Sequence, residues 1–149
     1  MVGVPVMRRA ILVIEGGGGN DVLTGGAGNK TYGFDTNNAL GSDTINESGG
    51  GIDTLAFSAT TARAVTINLG NPAAQVVNAG LTLTLSSGTA IENAIGGALG
   101  DMLTGNALNN SLSGGAGNDT LDGGAGTDTL DGGAGTDVAL NGEVVTNIP

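Results

Sequence analysis

Gly96 to Leu140 reads GGALGDMLT (96–104), GNALNNSLS (105–113), GGAGNDTLD (114–122), GGAGTDTLD (123–131) and GGAGTDVAL (132–140), five nine-residue units laid end to end. Each unit opens with small turn-forming residues, reaches an acid or amide at its sixth place and an aliphatic residue at its eighth. A fixed period of this kind marks stacked repeats, because a single short unit cannot bury its apolar face alone. Nine residues divide into a turn and a short strand, so two units complete one coil and unit i lies on unit i+2. Successive coils then stack as parallel strands roughly 4.8 Å apart. Leu103, Leu121 and Ala139 line one side of this roll, and Leu112 and Leu130 the other.

The same arithmetic stacks the sixth places. Asp101, Asp119 and Asp137 form one column; Glu92, Asn110 and Asp128 form the other if the frame extends back to Glu92. Carboxylates held about 5 Å apart repel by on the order of 1–3 kcal/mol per contact at an intermediate effective dielectric. A hard divalent cation between coils reverses that sign. Calcium accepts roughly six to eight oxygens in flexible geometry, which suits carboxylates together with turn carbonyls, whereas magnesium demands a tighter octahedron. Glycine permits the positive φ that aims such carbonyls. The chain has no cysteine and no histidine, so zinc and copper sites, disulfides and histidine-based triads are not expected.

Composition sets the same bounds. The chain has 149 residues, of which 30 are glycine and only 3 aromatic, so a conventional layered core is hard to build. Ordering so many glycines opposes folding strongly. Fourteen acids against 4 bases leave a net charge of -10, which argues for cations and against nucleic acid or an anionic membrane. No stretch approaches the roughly 20 apolar residues of a membrane span.

Working outward, residues 16–33 hold two further units, GGGGNDVLT with Asp21 and Leu23, and GGAGNKTYG with Lys30 at place six and Tyr32 at place eight. FDTN (34–37) interrupts the frame, which returns as NALGSDTIN with Asp43 and Ile45 and as SGGGIDTLA with Asp53 and Leu55. Between 57 and 95 the period fades, but Val65, Ile67 and Leu69 alternate, as do Leu81, Leu83 and Leu85, predicting two half-buried strands. Asn71-Pro72 and Asn78-Ala79-Gly80 supply turns around them. Wider coils of the same solenoid are favoured here over a separate β insert, which would need bulkier side chains. Ile11–Ile14 reads as a strand in an N-terminal cap, with a targeting remnant as the alternative; Arg8 and Arg9 interrupt the apolar run that a signal sequence would need. Val144-Val145 predicts a last strand. The expected organisation is one domain over 1–149: a cap at 1–15, repeats at 16–56, wider coils at 57–95, five tandem repeats at 96–140 and a C-terminal cap at 141–149.

These units resemble the RTX (haemolysin-type) calcium-binding repeat family, most closely at 114–140. The resemblance implies an all-β fold, a right-handed parallel β-roll, here with wider irregular coils in the middle. It also implies Ca2+ as the cofactor, several ions lying between adjacent coils. In that family the sixth-place Asp and the carbonyls of places two and four are the usual ligands. Carried over, these are Asp119 with Gly115 and Gly117, Asp128 with Gly124 and Gly126, and Asp137 with Gly133 and Gly135. By the same register Asp101 acts with Gly97, Asp21 with Gly17 and Gly19, Asp53 with Gly49 and Gly51, and Asp43 with Gly41. Asn110 is neutral, which predicts a weaker site shared with Asp128. Leu99 and Leu108 replace the fourth-place glycine and oppose its usual backbone angle. Lys30 falls in the column of Asp53, where its ammonium either occupies the cation position or points to solvent.

Other patterns carry less. GGAGNKT lacks the glycine–lysine adjacency of a phosphate loop because Asn29 intervenes. Asn29, Asn46, Asn109 and Asn118 begin glycosylation sequons that this composition generates readily. Asp122 and Asp131 read as exposed acids. The repeating acid ladder has a structural explanation, so paired carboxylates do not point to glycosidase chemistry and no enzyme is expected. The expected function is a secreted, extracellular or cell-surface calcium-binding scaffold that folds on taking up the ion. The alternatives are a calcium-dependent filament or surface-layer subunit assembled end to end as a homo-oligomer, and an adhesin segment that binds ice or polysaccharide.

Overall fold

The computed structural model describes residues 12–149. Residues 1–11, which hold most of the expected N-terminal cap, lie outside the described residues. Among the described residues there are only strands: β1 (Leu12–Ile14), β2 (Val22–Thr24), β3 (Lys30–Gly33), β4 (Gly41–Asn46), β5 (Thr54–Ala56), β6 (Thr66–Asn68), β7 (Gln75–Asn78) and β8 (Leu81–Leu85). Then follow β9 (Asn93–Ile95), β10 (Met102–Thr104), β11 (Ser111–Ala116), β12 (Thr120–Asp122), β13 (Thr129–Ala134), β14 (Val138–Leu140) and β15 (Val144–Thr146). Among the described residues no helix is long and apolar enough to cross a membrane.

The chain winds back and forth between two faces. One is a seven-stranded parallel sheet in the order β1-β3-β5-β9-β11-β13-β15. The opposite face is divided into two four-stranded sheets, β2-β4-β8-β7 and β14-β12-β10-β6. This is the all-β parallel roll expected from the period, and the register confirms the predicted stacking. Leu103 lies against Leu121 and Leu121 against Ala139 on one face, and Leu112 against Leu130 on the other. These ladders extend backward: Ile67 sits on Leu103, while Ile14, Tyr32, Leu55 and Ala94 precede Leu112. The eighth-place side chains thus form a thin buried row between the faces, flanked by seventh- and ninth-place residues that face outward.

The coils differ in length where the sequence departs from its frame. Sixth-place partners are 18 residues apart in the tandem repeats, 23 between Lys30 and Asp53, and 39 between Asp53 and Glu92. The longest coil, 57–92, reaches both second-face sheets. Its β6 opens the sheet of β10, and its β8 closes the sheet of β4 with β7 turned back on it antiparallel. Gln75 ties the two together, accepting from the amide of Asn68 at 2.9 Å and donating to its carbonyl at 3.0 Å.

The 34–37 interruption is itself built to stack. Phe34 lies on Phe57 with ring centroids 5.6 Å apart, and the Thr36 and Thr60 hydroxyls meet at 3.2 Å in the next layer. Tyr32, Phe34 and Phe57, all the aromatic residues of the chain, are buried together near this step. The bulk of the core therefore sits where the nonapeptide is weakest. Truncating it costs more than truncating the thin ladder: Phe57→Ala is expected to lose about 3–5 kcal/mol in urea unfolding with saturating calcium. An unchanged midpoint would show that the aromatic step does not support the roll.

Candidate metal centre

Five sixth-place acids, Asp43, Asp53, Asp119, Asp128 and Asp137, do the same first job. One carboxylate oxygen accepts the backbone N–H of the sixth-place residue one coil earlier. Asp119 accepts from Asp101 at 2.7 Å, Asp137 from Asp119 at 2.8 Å, Asp128 from Asn110 at 2.8 Å, and Asp43 from Asp21 at 3.0 Å. The ladder thus pulls these acids inside the roll. Asp43, Asp53, Asp101, Asp119, Asp128 and Asp137 are all buried, and Asp21 is half-buried.

What the second oxygen does divides the turns into two kinds. In Asp21, Asp43, Asp119, Asp128 and Asp137, Oδ2 is buried and has no hydrogen-bond partner. In Asp101, Oδ2 accepts the Gly97 amide at 2.5 Å, and at Asn110 the side-chain oxygen accepts the Asn106 amide at 2.7 Å. The Asn110 Nδ2 also donates to the Glu92 carbonyl and to Asn106 Oδ1, so the neutral side chain is satisfied at both ends. Asp101 and Asn110, both candidate ligands by sequence, therefore sit in turns already closed by protein.

Backbone conformation accounts for the difference. Gly133 and Gly135 have φ of 91° and 149°, and a Cβ at either would overlap the carbonyl oxygen of the glycine one coil below, Gly115 or Gly117. Both the angle and the close approach require glycine there. The second and fourth places of the Asp21, Asp119 and Asp128 turns share this conformation, as does Gly41 before Asp43. Gly97, Leu99, Asn106 and Leu108 do not. In the Asp101 and Asn110 turns place two keeps an ordinary φ and its N–H turns inward onto the sixth-place side chain. At Asp43, where place two is Ala39, the second oxygen stays open although that φ is ordinary too. Where place two is left-handed, the amide turns elsewhere: that of Gly124 donates to Asp122 at 3.2 Å. Asp122 and Asp131 are half-buried rather than fully exposed, and they accept from the side-chain amides of Asn141 and Asn147 at 2.7 Å.

Two contributions lie outside the expected residue set. First-place glycines leave room for the acid: a Cβ on Gly96, Gly114, Gly123 or Gly132 would run into the second carboxylate oxygen of its own repeat. Glu143 completes the second column, accepting the Asp128 amide at 2.5 Å across a shortened coil of 15 residues. Glu92 does the same for Asp53 at 2.7 Å. The available signal was local, because each of these glutamates immediately precedes a strand, as Asp128 precedes β13.

Burial dominates the electrostatics. The carboxyls of Asp43, Asp53, Glu92, Asp101 and Asp119 are all raised above their ordinary range, with desolvation the first cause in every case. Repulsion from Asp101 and Asp137 adds to the rise at Asp119 but ranks below both burial and the opposing backbone hydrogen bond. Carboxylate repulsion, the effect that the stacked sequence emphasises, is therefore secondary. What a cation would answer here is chiefly an unpaired buried oxygen.

The donor set fits a hard cation. Among the described residues no three carboxylates or other acidic, thiol or imidazole groups gather at one point, so an ion here must draw on backbone carbonyls. The space over Gly114, for example, is shared by Asp119 Oδ2 and the carbonyl of Gly132 from the next coil. Residues 13–29 and 95–139 match the family model for the RTX calcium-binding nonapeptide repeat, in four copies. The chain carries RTX calcium-binding nonapeptide repeats. The matched stretches cover less than half of it, and the units around Asp43 and Asp53 fall outside them. No curated protein matches the chain at a significant level. RTX repeats imply Ca2+ binding, and the repeats with unpartnered oxygens at 114–137 lie within the match.

Two outcomes follow for the RTX turns. Gly133→Ala forces an L side chain into a left-handed, crowded position and should lower stability in saturating calcium by roughly 1–2 kcal/mol or more. Gly26→Ala, where a Cβ meets nothing within 4 Å, should change stability by less than about 0.5 kcal/mol. Equal effects in thermal unfolding would remove the conformational argument. The second outcome concerns pH. Because the raised carboxyls bind protons more readily folded than unfolded, their contribution is full below the ordinary carboxylate value and is lost as pH rises through the raised values. In chelator the chain should therefore be more resistant to urea at about pH 4.5 than at about pH 7. The reverse order would mean that these acids are not buried as described.

Proposed function

We propose that this chain is a calcium-stabilised structural module of a secreted protein, fully folded only when calcium is bound between its glycine-rich turns. The observation that carries this reading is the set of five buried aspartate oxygens without a partner, each in a turn whose glycines adopt left-handed angles. An unsatisfied buried polar atom costs about 1–3 kcal/mol, and more when charged. An ion that binds only the folded chain offsets this cost and adds stability by linkage.

Asp119, Asp128 and Asp137 would hold the ions of the C-terminal turns, and Asp21 and Asp43 those of the N-terminal half, with turn carbonyls completing each shell. Asp101 and Asn110 would contribute less, since their turns already satisfy them. Export fits the requirement for abundant calcium, which extracellular fluid supplies. The role is support rather than catalysis: the carboxylates are committed to holding the coils together. Outward seventh places along one sheet read Thr66, Met102, Thr120 and Val138, a file with no regular hydroxyl array to favour ice recognition.

Far-ultraviolet circular dichroism of the full chain tests the reading. Millimolar calcium should produce a large gain in β signal over chelator, centred on the loss of order in 114–140 when the ion is withdrawn. An identical spectrum and melting temperature in the two conditions would refute it.

A further inference from the structure

One RTX turn is constructed differently from all the others. In GGAGNKTYG (25–33) the sixth place is Lys30, which is only 8% exposed. Its Nζ donates to the carbonyls of Gly26, Ala27 and Gly28 at 2.8, 2.8 and 2.5 Å. An ammonium has three protons, and three turn carbonyls take them all. These carbonyls belong to places two to four, the part of the turn that includes the carbonyls expected to face an ion elsewhere in the roll. The Lys30 backbone keeps its position in the column, its amide donating to Asp53 Oδ1 at 2.7 Å.

The rest of the turn is adjusted to this cation. In the neighbouring repeats the first-place glycine makes room for the repeat's own sixth-place carboxylate. At Gly25 the same room is taken by the carboxylate of Glu47, from the following coil, and by the Tyr32 hydroxyl. Tyr32 donates to Glu47 Oε2 at 2.6 Å, and the Gly49 amide donates to Oε1 at 3.0 Å. The turn thus keeps an anion at its base and a cation on its carbonyls, both supplied by the chain.

We propose that the Lys30 ammonium permanently occupies the cation position of the 25–33 turn, so that this turn folds without calcium and excludes the ion. This repeat carries the buried Tyr32 itself and leads directly into the stacked pair Phe34 and Phe57. A calcium-independent turn there would hold the core together while the C-terminal repeats await their ions. The inference rests on the calcium reading of the other turns, but one arm of its test does not.

The test compares the full chain with Lys30→Asp and Lys30→Met. Lys30→Asp recreates the GGAGND sequence of the 114–119 turn, and calorimetric titration with calcium chloride should find one ion more than in the unaltered chain. Lys30→Met keeps the bulk and removes the charge. Hydrogen exchange in chelator should then be at least about 10-fold faster at the amides of 26–33 in this variant than in the unaltered chain. Unchanged stoichiometry in Lys30→Asp, or unchanged exchange in Lys30→Met, would overturn the proposal. If the unaltered chain takes up no calcium, the reading of the other turns fails, while the exchange comparison still decides the role of Lys30.

Discussion

The roll depends on one recurring constraint: each sixth-place acid must enter the interior to cap a backbone amide one coil away. That hydrogen bond supports the stacking of coils, because it joins one coil to the next at the point where turn becomes strand. It also takes a carboxylate out of water with only one of its oxygens satisfied. Taking an ion out of water costs several kcal/mol even after relaxation, by order of magnitude, so the second oxygen needs an answer in every layer. The chain gives three answers. A turn amide serves Asp101, an amide side chain replaces the acid at Asn110, and in Asp21, Asp43, Asp119, Asp128 and Asp137 the second oxygen is left without a partner in the protein.

Along the tandem repeats of 96–140 glycine placement decides which answer a turn receives. There a left-handed second place turns its amide away from the acid and leaves the oxygen open to the turn's own interior, and an ordinary second place turns the amide in. The ion-binding capacity of an RTX unit is thus a matter of backbone angle as much as of the aspartate. The two closed turns fall immediately after the wide coil, and the three open ones follow them. Conventional packing and ion dependence are therefore graded along the chain: aromatic and aliphatic burial dominates from Tyr32 to Ile91, and metal-dependent stacking dominates from Gly114 onward.

Much of this was legible in the sequence. The nine-residue period alone determines the parallel roll, the two columns and the partners Leu103–Leu121 and Leu112–Leu130, because register in a repeat is arithmetic. Leu99 and Leu108 correctly marked turns that could not take the left-handed angle. The sequence was less informative wherever the frame slipped. The stacking of Phe34 on Phe57, the antiparallel return of β7 and the use of Glu143 all arise from contacts across coils of unequal length, which no fixed period encodes. The direction of the carboxylates was also hidden. Spacing shows that acids lie one above another and so suggests repulsion; it does not show that one oxygen of each is already bonded and that burial of the other is the larger effect.

The most direct measurement is a crystal structure of the chain grown with calcium, with the ions located by their anomalous scattering. The account requires peaks at the turns of Asp119, Asp128 and Asp137, each within roughly 2.3–2.6 Å of the second carboxylate oxygen and of turn carbonyls. It also requires no peak in the turn of Lys30. Ions confined to the outward Asp122 and Asp131, with the buried oxygens still without partners, would contradict it.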